Sequence, residues 1–335
     1  MNILIDMPVD AAALDHLRSI PGLSIRLIEP EERVRRVAEE IIGDVEVFFG
    51  EFPPENLSDM RALKLVQIPT AGHNQLHHLD LATKGIRVCN ARGNFDVPIG
   101  EWNMAMMVNL ARNLRQMIRN QDAGTWDRAA CFQREIRGST VGLWGYGGIG
   151  RETARVAKAL GLRVHVLCRK PIGPSGSVYR VPGTGDPEGV LPDKVFLYGQ
   201  ETYFLSNLDF LILAMPLTKT TRGIIGEKEL RSLPQSAFVL NPARGPLIQE
   251  EALLKALASG WIAGAAIDTH YYYPMPPDHP LWHFPNVIMT PHVSGSSKST
   301  HYVDRSWDIF SQNVHRYLAG EPLLNELTRV QLNGD

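Results

Sequence analysis

The run Gly145–Tyr146–Gly147–Gly148–Ile149–Gly150 has the spacing of a loop that cradles a dinucleotide pyrophosphate. Three glycines in it have separate physical tasks. Gly145 allows a tight turn, Gly147 lets backbone approach the phosphates, and Gly150 lets the following helix pack on the preceding strand. Alone the motif is weak, and its flanks make it specific. Thr140–Trp144 reads as a strand entering the loop, Arg151–Leu160 as a helix leaving it, and Arg163–Cys168 as the next strand. That is a βαβ unit of about 30 residues whose helix start turns free N–H groups toward an anion.

A site for NAD usually carries Asp or Glu at the end of the second strand, accepting from the ribose 2′-OH. Here that place holds Cys168–Arg169–Lys170. Two cations without an acceptor suit a 2′-phosphate, so NADP(H) is expected ahead of NAD(H). The competing explanation is that Arg169 and Lys170 are solvated surface charges. Two further strand ends carry candidate chemistry. Asn241–Pro242–Ala243–Arg244–Gly245 presents a guanidinium fork that could hold a carboxylate and an adjacent carbonyl oxygen. An arginine so placed is more often half of a structural ion pair. Thr290–Pro291–His292–Val293 offers an imidazole that could protonate a carbonyl oxygen as hydride arrives. One histidine among 11 says little without its partners.

These residues need elements to hold them. Short apolar strands at Asn2–Met7, Ser24–Ile28, Val45–Phe49, Lys64–Ile68 and Ile86–Cys89 alternate with helical or turn material, Ala11–Arg18 being the first helix. A second series has strands at Thr140–Trp144, Arg163–Cys168, Phe210–Ala214, Ala237–Asn241, Gly264–Asp268 and Val287–Thr290, and Ile309–Leu318 is a closing helix. Such alternation predicts an α/β fold with parallel sheets flanked by helices. Between the series, Ile99–Met117 reads as one long, largely buried helix. Gln121–Arg137, with Trp126, Cys131 and Phe132, is irregular and suits either a partner subunit or a loop over its own domain. Pro171–Lys194 is dense in Gly and Pro and reads as an inserted loop.

Composition sets outer limits. At roughly 100–200 residues per domain, 335 residues suggest two domains. A net charge of -2 without long runs of one sign gives no reason to expect nucleic acid or an anionic membrane surface. No stretch approaches the apolar length of a membrane span, and no leader pattern opens the chain. The 3 cysteines, Cys89, Cys131 and Cys168, form neither a metal-spaced cluster nor a disulfide framework, so no metal and a reducing cytoplasm are expected.

Several segments in order resemble the D-isomer-specific 2-hydroxyacid dehydrogenase family over nearly the whole chain. They are the glycine loop, Asn241–Gly245, Ala265–Asp268, Pro277–Trp282 and Thr290–Val293, with Lys64–Gly72, Asp80–Leu81 and Gly85–Asn90 earlier. The resemblance implies two Rossmann-like domains. The first is a discontinuous substrate domain of residues 1–99 plus 296–335. The second is a nucleotide-binding domain of residues 100–295 with a dimerisation extension at about 100–138. It implies a homodimer and reduction of a small 2-keto acid in the cleft. By matching position, Arg244 binds the substrate carboxylate and polarises its carbonyl, and His292 is the acid/base. Gly148 and Ile149 meet the pyrophosphate, and Pro216 lines the nicotinamide. Asp268 contacts the carboxamide, unless it is only a strand-end cap. Backbone N–H groups of Ala71, Gly72 and His73 hold the carboxylate.

One position departs from the family. The Glu expected five residues beyond Asp268 is Tyr273. Either Tyr273 orients His292 as a neutral partner, with the activity optimum at lower pH, or His270 or Asp278 replaces the carboxylate, or catalysis is lost. The last reading gives a nicotinamide-sensing interaction protein of the same fold. Ala71–His73 and Tyr271–Tyr273 are also candidates to set pocket size.

Overall fold

In the computed structural model, residues 1–129, 133–176 and 178–333 are described. The chain divides into two compact units. One comprises Met1–Phe95, Gly176–Val181 and Ser296–Asp335, the other Asp96–Ser175 and Pro182–Gly295.

The first unit holds a parallel five-stranded sheet. Its strands are β1 (Asn2–Asp6), β2 (Ser24–Leu27), β3 (Val47–Gly50), β4 (Leu65–Gln67) and β5 (Arg87–Cys89), in the order β2-β1-β3-β4-β5. Alternation along each strand buries both faces. Leu4, Phe48, Val66 and Val88 pack on one side. Ile3, Ile5, Val47, Phe49 and Leu65 pack on the other against Trp307 and Phe310. Those two aromatics belong to the helix Thr300–Ala319, which starts well before the expected Ile309.

The second unit holds a parallel seven-stranded sheet. Its strands are β6 (Thr140–Trp144), β7 (Arg163–Cys168), β8 (Lys194–Leu197), β9 (Phe210–Leu213), β10 (Phe238–Asn241), β11 (Gly264–Ile267) and β12 (Val287–Met289). Their order is β12-β11-β10-β9-β6-β7-β8, so the winding direction reverses between β6 and β9. Ligands of open α/β sheets sit outside the carboxyl ends of the strands at such a reversal.

All eleven expected strands form, with ends moved by at most two residues. Strand β8 was missed because it is a short edge strand with a charged start, emerging from the Gly/Pro-rich segment. The single long helix expected at Ile99–Met117 is two helices, Asp96–Ala111 and Leu114–Asp122. Asn113 breaks them at φ +46°, a conformation that Asn tolerates better than most residues. The first helix is buried along Ile99, Met104, Met107 and Leu110, whereas the second has no buried residue. Trp126 is 88% exposed, so the described residues leave it uncovered. Cys131 and Phe132 lie outside the described residues.

Pro171–Lys194 connects β7 to β8 without a helix but is anchored. Asp186 is buried and accepts N–H bonds from Gly189 (3.1 Å), Val190 (3.1 Å) and Leu191 (3.0 Å). It also accepts from the Tyr146 hydroxyl at 2.6 Å, which ties the segment to the glycine loop. In the first unit, Tyr179 packs with Ala91 and Ile309.

Candidate active site

Strand β6 delivers the glycine loop to the point of reversal. Gly145 has φ +108°, and a Cβ there would sit 2.4 Å from the Ala214 carbonyl oxygen. Only glycine fits this turn between β6 and β9. A Cβ on Gly150 would lie 2.6 Å from the Gly145 oxygen, whereas Gly147 faces open space. Gly147 also begins the helix Gly148–Ala159 without a side-chain cap, leaving first-turn N–H groups for an anion. A side chain at Gly148 would collide with the Asp96 carboxylate. This loop fits a dinucleotide. Beyond it, Arg169 and Lys170 are exposed at the end of β7, and Pro216 is exposed beyond the end of β9.

Strands β10, β11 and β12 bring the remaining candidates of this unit to the same edge. Asn241 organises the Arg244 loop from both ends of its amide. Its Oδ1 accepts from the N–H groups of Ala243 (3.1 Å) and Arg244 (3.2 Å), while its Nδ2 donates to the Arg244 carbonyl at 2.9 Å. The close approach of the β11 loop requires glycine at 245, where a Cβ would stand 2.4 Å from the His270 carbonyl. Arg244 donates one N–H to the Ala243 carbonyl at 2.7 Å. Among the described residues no carboxylate pairs with it, so the ion-pair explanation fails. Burial holds the guanidinium below its ordinary pKa, and among the described residues the other N–H groups of the fork have no partner.

His292 sits in the left-handed region at φ +59°, an unusual conformation held from outside the residue. Its N–H donates to the Asp268 carbonyl at 2.8 Å. The Asp268 side chain is fully buried. It accepts from the Thr290 hydroxyl (2.6 Å) and from the N–H groups of Val293 (2.9 Å) and Ser294 (3.1 Å). Asp268 therefore does cap and clamp the loop that carries the imidazole. We expect Asp268→Asn to lower stability by roughly 2 kcal/mol, because an amide NH₂ would face groups that are themselves donors. Denaturant unfolding checks this, and an unchanged midpoint would contradict it.

The Nδ1 of His292 lies 3.2 Å from the Tyr273 hydroxyl. That oxygen also accepts the His270 N–H at 3.1 Å. Burial raises the phenol pKa, so Tyr273 is a neutral O–H near pH 7. Burial and then the Arg244 charge lower the imidazole pKa, against a smaller raising effect of Asp268. Nε2 of His292 has no partner among the described residues. Of the three candidates to partner His292, Tyr273 is the one bonded to it. His270 instead directs Nε2 to the Thr290 carbonyl at 2.8 Å, and Asp278 has no such bond. Tyr271 packs against the hydrophobic core and Tyr272 donates to Glu250 at 3.2 Å, so neither is turned to His292.

Residues 104–294 match the family described as D-isomer specific 2-hydroxyacid dehydrogenase, NAD binding domain. The chain belongs to the D-isomer specific 2-hydroxyacid dehydrogenase family. It is 32% identical to a glyoxylate reductase of Aeropyrum pernix over 73% of this chain and 70% of that one. It is 28% identical to a hydroxypyruvate reductase of Blautia hydrogenotrophica over 89% of this chain and 88% of that one. A solved dehydrogenase of the same family from Xanthobacter autotrophicus Py2, in complex with NADPH and MES, superposes with a TM-score of 0.77 at 26% identity, covering 99% of both chains. This 2-hydroxyacid dehydrogenase family member is thus an oxidoreductase by kinship, with a nicotinamide dinucleotide as its class of cofactor.

The first unit of this dehydrogenase carries Ala71, Gly72 and His73 at the carboxyl end of β4. The N–H groups of Ala71 and Gly72 donate to no acceptor among the described residues. A buried network fixes the loop. Gln67 donates to the carbonyls of Ile68 (3.0 Å) and Asn90 (3.2 Å), and Asn90 donates to the Ala71 carbonyl at 2.7 Å. Sequence reasoning missed Asn90, Asn241 and Thr290 as positioning residues. Asn241 and Thr290 stand inside recognised motifs, but their partners are set by strand neighbours rather than by spacing. Among the described residues no group of His, Cys, Asp or Glu could hold a metal. No helix among them is long and apolar enough to cross a membrane.

Proposed function

We propose that this chain reduces a small 2-keto acid to the D-2-hydroxy acid, with NADP(H) preferred and NAD(H) as the second choice. The observation that carries the reading is the pairing at one sheet edge of an arginine fork, which gives one N–H to the Ala243 carbonyl, and the Nε2 of an imidazole, neither of which meets a side chain among the described residues. Arg244 is half-buried, and idle N–H groups on a shielded guanidinium are costly unless a ligand completes them. Arg244 donates to the substrate carboxylate and carbonyl oxygen and draws charge from the carbonyl carbon. His292 Nε2 gives the oxygen its proton, while Tyr273 orients the ring through Nδ1. In the first unit, the N–H groups around Ala71, Gly72 and His73 are the proposed donors to a carboxylate. Gly148 and Ile149 present N–H groups to the pyrophosphate, Pro216 lines the nicotinamide, and the remaining lone pair of Asp268 takes the carboxamide. When bound, the reduced nicotinamide supplies the hydride.

The names of the relatives suggest glyoxylate and hydroxypyruvate as first substrates to try. Following nicotinamide absorbance with a panel of 2-keto acids tests the reading. Turnover of one or more acids supports it. Cofactor binding without turnover of any acid would overturn it in favour of a sensor.

The cofactor preference rests on Arg169 and Lys170, exposed cations without carboxylate partners among the described residues. The double variant Arg169→Ala/Lys170→Ala is expected to raise the KM for NADPH by about tenfold while moving that for NADH little. Equal changes for both cofactors would contradict the assignment. A homodimer through residues 100–138 is part of the same proposal, supported by exposed Val108, Leu114, Ile118 and Trp126. Sedimentation velocity reads it directly. Unpaired thiols at Cys89 and Cys168 suit a reducing cytoplasm.

A further inference from the structure

We propose that the same site reduces 2-imino acids, the condensation products of a 2-keto acid and a small primary amine, and that it does so near neutral pH better than it reduces the ketone. The inference rests on the hydride-transfer reading above and concerns which acceptor the site serves.

The deciding feature is the neutral partner of His292. Reduction of a ketone leaves an alkoxide, which must take a proton from imidazolium. Every group facing the ring bears on whether that imidazolium exists. Arg244, from the β10 loop, opposes it. His270, from the β11 loop, opposes it too. Asp268 favours it, but its carboxylate is spread over Thr290, Val293 and Ser294. Tyr273, which touches Nδ1 directly, brings no charge. The acid is therefore scarce above its lowered pKa, and ketone reduction falls about tenfold for each further pH unit.

An iminium carries its own proton. The amine, present in solution mainly as its ammonium ion, condenses with the keto acid with loss of water, so that the extra ammonium proton stays on nitrogen and gives a C=N⁺–H bond next to the carboxylate. Two electrons and one hydrogen arrive as hydride from the reduced nicotinamide. A C–H bond forms, the C=N π pair moves to nitrogen, and a neutral amine results. The cofactor is oxidised by two electrons and no protein group gives up a proton. The Tyr273 hydroxyl can donate or accept, so it suits either tautomer of a neutral His292. With Nδ1–H given to Tyr273, Nε2 is an acceptor and complements the iminium N–H.

The test uses the full chain with NADPH, pyruvate and methylamine at about pH 8, with products identified by mass spectrometry. N-methylalanine is expected as the main product, and lactate alone would overturn the inference. In the same mixture Tyr273→Glu should move the ratio of amine to hydroxy acid about tenfold toward the hydroxy acid, because a carboxylate beside the ring raises its pKa by about 1 unit or more. An unchanged ratio would also overturn it. Nitrogen-15 spectra give a reading independent of turnover and of that variant's folding. They should show a neutral His292 ring in the free protein, and an imidazolium at this pH would contradict the argument. Lactate without N-methylalanine sinks the inference alone; where pyruvate is not turned over, the best 2-keto acid of the panel takes its place in the mixture, and turnover of no acid in the panel sinks the proposed function with the inference.

Discussion

Replacing Arg244 by alanine is expected to lower kcat/KM for a 2-keto acid by about a thousandfold, from two charge-assisted hydrogen bonds together worth roughly 4 kcal/mol. The geometry explains the size. Asn241 fixes the backbone of the loop, and the Ala243 carbonyl takes one N–H of the guanidinium. The rest of the fork is held ready before substrate arrives. Preorganised donors cost no reorganisation when charge builds on the carbonyl oxygen. Arg244→Lys keeps the charge but loses the fork, so it should recover only part of the loss. Cofactor affinity, read by fluorescence titration, should change little, since the glycine loop is built on β6. Steady-state kinetics check the outcome, and a loss below tenfold would remove Arg244 from the central role.

His292→Asn is expected to cost about 10²- to 10⁴-fold in kcat for reduction, the usual worth of a positioned acid. The pH dependence is the sharper reading. Burial and Arg244 hold the imidazole below its ordinary value, so the protonated form is populated only at acid pH. Reduction needs that form and should decline as pH rises through an apparent pKa below 6.5. Oxidation of the 2-hydroxy acid needs the neutral ring and should rise through the same pKa. Both dependences should vanish in His292→Asn. A reduction profile flat to pH values well above 7 in the wild type would show that another group supplies the proton.

Much of the fold was legible because parallel strands buried on both faces read as short apolar runs. Leu211, Ile212 and Leu213 need no partner to be recognised as such. The helix break at Asn113 was not legible. Asn is compatible with helix and with the left-handed conformation, and only the packing on either side chooses. Arg115, just beyond it, donates to the carbonyls of Trp282 and Phe284, far along the chain. Strand β8 was hidden for a similar reason, because an edge strand is identified by the neighbour it pairs with, here β7.

The sequence by itself determined the dinucleotide loop, since the steric demands on Gly145 and Gly150 are local and leave a spacing that can be read. It also identified Arg244 and His292 as candidates, each in a motif that ends a strand, and it exposed Tyr273 as the departure from the family pattern. Which residue meets Nδ1 of His292 was decided only by the tertiary structure. Three residues were eligible to meet His292. The loops after β11 and β12 turn His270 to the Thr290 carbonyl and place the Tyr273 hydroxyl on Nδ1. Asp268 likewise changed meaning, from a strand-end carboxylate to the clamp that holds the imidazole in its left-handed turn. The physical reason is common to both. A hydrogen bond between side chains on neighbouring strand ends depends on the direction of each loop, which spacing along the chain does not encode.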